Sequence, residues 1–555
     1  SSGGTSVAAT VSVNFLDGSA TAEIADGADL AATGAVSVKT TSQLTAKAIA
    51  TATSTDIQSN TGVAAAVGLN ITLFDSAAKI GTADVSGGSV EVAAVQPDDT
   101  AHVFNVRALA GAVSSGTGVG GSISINFIDL SSEASIGDNA SVSATNGDLD
   151  VIATNRVEVQ NLAGGAALSA KGSGTGVGIA VSVNIVEDLD TDAEIGAGAE
   201  VSAEGGATTV SATASFTPYT DTLELEDPTD DTNTISQEVS VTNFAAGIAA
   251  ANGGTAVGGS ASVNVIDIDT NATIGTGADV AGEDGVTVSA QDILTLFTGA
   301  GSIGLSIGGS GVGVAINVDV VRRDTLATIE AGADVYSSEG DVSVTAHAVD
   351  DLTSVAATFG ASSDSVAAAF SIGVAVVLTN AKADIQSAAG ASNVSEVSAG
   401  GDVTVAASGH LDMLFISGGA AASLSSAGIG IGSTVLVHTD TVEARIGESA
   451  RIDTAGAAGL TLSAQSSENI LDIVVGAGVS GGSVAVGGSV LVTVMNETTR
   501  ATIADDAVVE AVSAGASDPG VALDVDSHTE VLSVAGALGL SAGSAGIGAG
   551  VNVHT

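Results

Sequence analysis

The chain has 555 residues, 63 of them acidic and 12 basic, for a net charge of −51, yet 45% of it is hydrophobic. It contains 73 glycines, 4 prolines, 2 tyrosines, and neither cysteine nor tryptophan. These numbers exclude a disulfide scaffold and a thiolate metal site. They leave no basic stripe for nucleic acid, and the apolar content is too high for disorder. With 2% aromatics, any core must be thin and built from Val, Ile, Leu and Ala.

No charged segment precedes an apolar stretch near the first residue, so no signal peptide is expected there. The longest uncharged runs, 294–318 and 474–496, are long enough to span a bilayer but alternate every second residue, which is the period of a strand. A membrane barrel also alternates, but it needs aromatic girdles that this chain lacks. No membrane span is therefore expected in this segment.

A short motif, Ala-x-Ile, recurs at Ile24, Ile80, Ile136, Ile195, Ile274, Ile329, Ile385, Ile446 and Ile503. Seven of the eight intervals lie between 55 and 61 residues, and the exception is 79. Such self-similarity marks a repeat architecture. After each Ile, often followed by Gly as at 81, 137 and 196, comes a short strand such as Ala140-Ser-Val142. A turn dipeptide follows (Asn146-Gly147, Gly205-Gly206, Asp284-Gly285, Glu339-Gly340, Gly400-Gly401), where glycine is expected to supply positive φ. Then a strictly alternating strand appears, as in Val342-Ser-Val-Thr-Ala346. Three short strands in about 22 residues make one β-helical coil, with Val, Ile and Ala inward and Ser, Thr, Asp and Glu outward.

The remaining 34 or so residues of each unit carry a glycine-rich loop and a longer strand, as in Gly116-Thr-Gly-Val-Gly-Gly-Ser-Ile-Ser-Ile-Asn126. They read as a second, wider coil, with a hairpin as the rival reading. The expectation is an all-β parallel solenoid of about nine repeats, roughly two coils per repeat, on the order of 80 Å long. The chain reads as one continuous array, 1–555, without capping units, so copies of itself or further repeats could stack end to end.

The Ala-x-Ile-Gly, Gly-x-Gly-Val-Gly and Ser-Val-Asn segments together resemble the giant repeat-rich surface proteins of bacteria, the filamentous haemagglutinin-like and leukotoxin-like adhesins. That resemblance implies a β-solenoid that is exported and displayed at the cell surface as a fibre, stalk or adhesin. Host or neighbouring-cell surface ligands would be its partners.

Four features are candidate sites. Asn14, Asn70, Asn126, Asn184, Asn264, Asn317 and Asn552 fall at nearly one phase of the repeat and read as a structural amide ladder rather than a ligand stripe. Asp188, Asp190, Asp192, Asp267 and Asp269 alternate on neighbouring strands and could offer oxygens to calcium, against the simpler reading of a solvated repelling face. The 79-residue interval holds a surface insertion at 215–238, with Pro218, Tyr219, Pro228 and the acidic Asp221, Glu224, Glu226, Asp227, Asp230 and Asp231, a place for local recognition. The run 116–121 matches G-x-G-x-x-G but opens no helix, so it is not read as a dinucleotide site. Scattered histidines and few Lys or Arg give no catalytic constellation, and no enzyme is expected; a β-helical polysaccharide-active enzyme is the weakest alternative.

Overall fold

The computed structural model describes residues 4–227, 230–388, 394–511 and 520–555, with 221–239 described in backbone only. Among them there is no helix, and hence none long and apolar enough to cross a membrane. The chain is a parallel β-solenoid. Each ladder joins a residue to its counterpart one repeat later, so that Ile24, Ile80, Ile136 and Ile195 stand in one column that continues to Ile503.

That register corrects the expected coil count. One repeat of about 56 residues is one coil, not two, and ten levels stacked at about 4.8 Å give a length of roughly 45 Å rather than 80 Å. The 34-residue remainder is neither a second coil nor a hairpin. It is the distal part of a single wide, flattened coil with three sides.

The short side is a nine-stranded sheet running from Asp29–Ala31 to Val508–Ala511. An outgoing limb follows, such as Val90–Val95 with His102–Ser114, or Val403–Ser423. The chain turns back at a Gly/Ser-rich tip, and a return limb such as Thr61–Ile80 or Thr117–Ile136 brings it to the next anchor isoleucine. Outgoing limbs pair with outgoing limbs and return limbs with return limbs, while the two face each other across the interior. Backbone groups are thus satisfied from the coils above and below.

The interior is graded along the coil. At the base, where the three sides meet, the core is Val, Ile, Leu and Ala from every coil. Midway lie the largest side chains, including Phe104, Phe216, Phe415 and Leu189. Toward the tip small residues take over, alanine, glycine and serine, as in Ala50, Ala52, Ala64, Ala66 and Ala108. Large residues hold the sheets apart at the base, and small ones let them close at the tip.

This taper inverts the expected facing of side chains in half of each return limb. In Thr117–Ile136 the inward residues are Gly118, Gly120, Ser122, Ser124 and Asn126, then Ile128, Leu130, Ser132, Ala134 and Ile136. Near the tip it is therefore Val119, Ile123 and Ile125 that face outward; Ile123 is 41% exposed. The expected pattern of apolar inward and polar outward holds at the base alone.

Turn chemistry also differs in place. The left-handed residue sits three positions after the anchor isoleucine, at Gly27, Asn139, Gly198, Gly277, Gly332, Ser449 and Asp506. Of the expected turn glycines only Gly205 and Gly285 have positive φ. Gly340 is required for closeness instead: a Cβ there would lie 1.8 Å from the Asp284 carbonyl oxygen.

Candidate functional site

The amide ladder runs inside the coil. Asn14 donates through Nδ2 to Asn70 Oδ1 at 2.9 Å, Asn70 to Asn126 at 3.1 Å, Asn126 to Asn184 at 3.2 Å, and Asn184 to Asn264 at 3.3 Å. Asn70, Asn126, Asn184 and Asn264 are fully buried, which closes this stripe to any ligand. The column's next residue is Asp319, whose Oδ1 accepts from Asn264 at 2.6 Å. A carboxylate is a fitting terminus for a chain of donors, because it accepts without needing to donate onward. Ala375 and Leu436 follow, and the ladder ends.

Asn317 and Asn552 do not belong to it. Both stand two residues out of register, facing Gly373 and Leu491 respectively. Asn317 donates to Thr298, Asp319 and Ser354, while Asn552 is exposed and reaches the Ser533 carbonyl at 3.4 Å. Asn184→Ala is expected to cost about 2–3 kcal/mol, because it strands the Asn126 donor in the interior. Urea denaturation followed by circular dichroism measures this. Asn14→Ala, on a partly buried residue, is expected to cost under about 1 kcal/mol.

Of the five acidic residues read as a calcium stripe, three come together. Oxygens of Asp188, Asp190 and Asp269 lie within 4.8 Å of one another on the outer face of the return limb. A bulge after Val186 inserts an extra residue and turns Asp188 toward Asp190. The other two are engaged elsewhere. Asp192 accepts from Asn271 at 2.9 Å, and Asp267 faces Arg322 at 3.3 Å. Arg322 also reaches Asp269 at 3.7 Å and Asp324 at 3.4 Å, so a guanidinium already supplies positive charge on one flank. Burial, then the hydrogen bond and charge of Asp188, push Asp190 up to about 8; burial and Asp324 push Asp269 up to about 6.

A second set of ionisable groups is interior and was not singled out from the sequence. Arg323, 1% exposed, donates to Asp292 at 2.6 Å and to Asp350, and to the carbonyls of Val349 and Asp292. Further along, buried His438 faces buried Glu468 at 3.0 Å, beside Asp440, which accepts from Ser466 at 3.0 Å. Burial pushes Asp440 up to about 7, with the charge of Glu468 adding to it. In His438 burial lowers the pKa, but the Glu468 contact outweighs it and the net direction is upward.

A carboxyl whose pKa is raised by folding holds its proton more tightly in the fold, so stability falls as pH rises toward the raised value. Asp190, Asp269, Asp292, Asp440 and Asp472 all act in this direction, and the raised His438 acts the same way. His102 opposes them, because burial lowers it to about 4 and its charging destabilises the fold between its usual value and that pH. The thermal midpoint is expected to rise on acidification from about pH 8 to about pH 4, more steeply below about pH 6, where Asp269, Asp292 and Asp472 join Asp190 and Asp440 and together outweigh His102. Scanning calorimetry across that range tests this, and His102→Gln should steepen the rise.

The insertion is displaced from 215–238. Ser215 and Phe216 still pair with their neighbours in the outgoing limb, and the chain leaves at Thr220–Asp227 to return through Asp230–Ser240 as an antiparallel hairpin. At its root Lys47 Nζ sits 3.2 Å from Tyr219 Oη. The acidic residues of the insertion, 221–231, lie outside the residues whose side chains are described. Gly116, Gly118 and Gly120 serve packing: a Cβ on Gly120 would fall 2.1 Å from the Ala166 carbonyl oxygen. An apolar groove with a volume of about 670 Å³ runs along the outgoing face near the tip, walled by Leu168, Leu305, Ile307 and Leu424. Compared with protein-family models, curated proteins and solved structures, the chain finds no match.

Proposed function

We propose that this protein is structural, the shaft of an extracellular bacterial fibre or surface adhesin, and that it does no chemistry. The observation that supports this is the continuity of the return-limb ladder through ten levels, from Thr5–Ile24 to Ala545–His554, with one bulge after Val186. Every level adds a full turn of axial backbone hydrogen bonds, so bending the array means breaking many at once. Arg323, Asp292, Asp350, His438 and Glu468 are buried in the interior, where they serve packing rather than turnover. Solenoid coils presenting parallel backbone edges also suit end-to-end extension.

Electron microscopy of the full chain tests the reading. Filaments with an axial spacing near 4.8 Å are expected, and compact particles that never extend would overturn it. The second reading is a ligand-binding adhesin acting through the hairpin or a calcium-bridged acidic stripe. Asp188, Asp190 and Asp269 support the calcium variant, although calcium seeks six to eight oxygens and this trio supplies only part of them. If calcium bridges the stripe, millimolar calcium at pH 8 raises the melting temperature of the wild type but not of Asp188→Asn/Asp190→Asn. If the stripe only repels itself, the double variant is more stable than the wild type without metal, and calcium changes neither.

A further inference from the structure

The outer face of the return limb is apolar over its distal half, throughout the array. Five columns of outward positions run from Val7, Ala9, Val11, Val13 and Phe15 in the first coil to Val486, Gly488, Val490, Val492 and Val494 in the ninth, and four continue to Ile547–Val553. Of these 49 positions, 45 are Val, Ile, Leu, Phe or Ala; the others are Gly121, Gly259, Gly488 and Ser433. None is charged, in a chain of net charge −51. The acidic residues of this limb begin where the face ends, at Asp17, Asp75, Asp129 and Asp267.

We propose that this face is the interface with a second copy of the chain, two return limbs packing sheet against sheet with their acidic bases at opposite ends. Three observations select that occupant. The first is area. Ten strands at about 4.8 Å and five outward positions at about 6.8 Å give a face on the order of 1,200 Å², above the roughly 800 Å² per partner of a stable complex.

The second is periodicity. β-branched ridges recur at the strand spacing in both copies, so a two-fold axis parallel to the solenoid axis brings each coil against its own counterpart. The third is charge. That same two-fold reverses the limb direction and carries each acidic base beyond the other's tip, roughly 30 Å away and well outside the screening length. The outgoing face is less suited, because the Thr220–Ser240 hairpin rises from it and Thr51, Thr53, Thr55 and Arg107 interrupt it. A lipid surface would meet a chain with no tryptophan and two tyrosines for interfacial anchoring, and strong repulsion from anionic headgroups.

Sedimentation equilibrium of the full chain, run with Val181→Lys/Ile316→Lys, tests the proposal independently of axial stacking. At protein concentrations too low for filaments, the wild type should form a dimer whose dissociation constant rises about a hundredfold or more in the double variant, while circular dichroism stays unchanged. Ser131→Lys, at an outward position of the base, should leave dimerisation intact. In this cysteine-free chain, Ile316→Cys at the middle column should form an intermolecular disulfide with itself, whereas Val312→Cys at the tip column should not. A wild type that stays monomeric, association that survives the lysines, or a monomer that binds zwitterionic vesicles through this face would each overturn the proposal.

Discussion

Gly120→Val is expected to destabilise the array by about 3 kcal/mol or more, while Gly121→Val changes it by less than about 0.5 kcal/mol. The two residues are adjacent and chemically identical; they differ in the side of the sheet they face. A Cβ on Gly120 would stand 2.1 Å from the carbonyl oxygen of Ala166 and 2.8 Å from its carbonyl carbon. Both are backbone atoms of the opposite limb, held by their own ladder to the coils on either side, so no side chain can swing away. The neighbouring coils are equally close: Cβ atoms on Gly165 and Gly178 would fall 1.9 and 2.0 Å from the carbonyl oxygens of Ile179 and Ile248.

Relief at position 120 therefore requires the limbs to separate over several coils, opening the tip to water. On Gly121 a Cβ meets nothing within 4 Å, and its column neighbours are Ala65 and Ile179. Valine there joins an apolar row and favours the strand. Urea melts of the two variants decide the matter. Limited proteolysis should cut Gly120→Val near its tip turns, since a solenoid weakened at one level opens locally. Equal melts would mean that the limbs are not in backbone contact.

That pair also shows what was readable in the sequence. The repeat, its anchor isoleucines and its β character follow from spacing and alternation, because a column needs the same residue at the same phase. The number of coils does not follow, since a 56-residue period is compatible with one wide turn or two narrow ones. Facing is also ambiguous, because alternation gives a period and not a side. The sign of the inversion was nevertheless present. Apolar doublets such as Phe127-Ile128, Ile185-Val186, Val265-Ile266 and Val320-Val321 switch the apolar phase midway along each limb. Distance to the anchor separates the true ladder from its impostors as well. Asn70, Asn126 and Asn264 lie ten residues before their isoleucines, and the bulge makes it eleven for Asn184, whereas Asn317 lies twelve before Ile329. Asp319 holds the tenth place in that coil, which is why the donors end on it. The meeting of Asp188, Asp190 and Asp269 depends on the same bulge, and its extra residue is visible only in that eleven-residue spacing from Asn184 to Ile195.

Arg323 was the least legible of all, because Arg322-Arg323 looks like a surface pair. Period two places Arg322 outward among Asp267, Asp269 and Asp324, and Arg323 inward between Asp292 and Asp350. Arg323→Met is expected to cost about 3–5 kcal/mol, since it leaves two carboxylates buried without their cation. The loss should be smaller at acid pH. Burial, only partly offset by Arg323, already lifts Asp292 to about 6, and a protonated carboxyl no longer needs the guanidinium. Replacing all three together, Arg323→Met with Asp292→Leu and Asp350→Leu, is expected to return most of the stability, because apolar groups of similar size remove the desolvation cost along with the charge. A urea melt of each variant at pH 5 and pH 8 separates these contributions. A single variant as stable as the wild type at pH 8 would mean that water reaches the triad, and that the interior is less closed than the packing of Phe104, Phe216 and Phe415 on the same core requires.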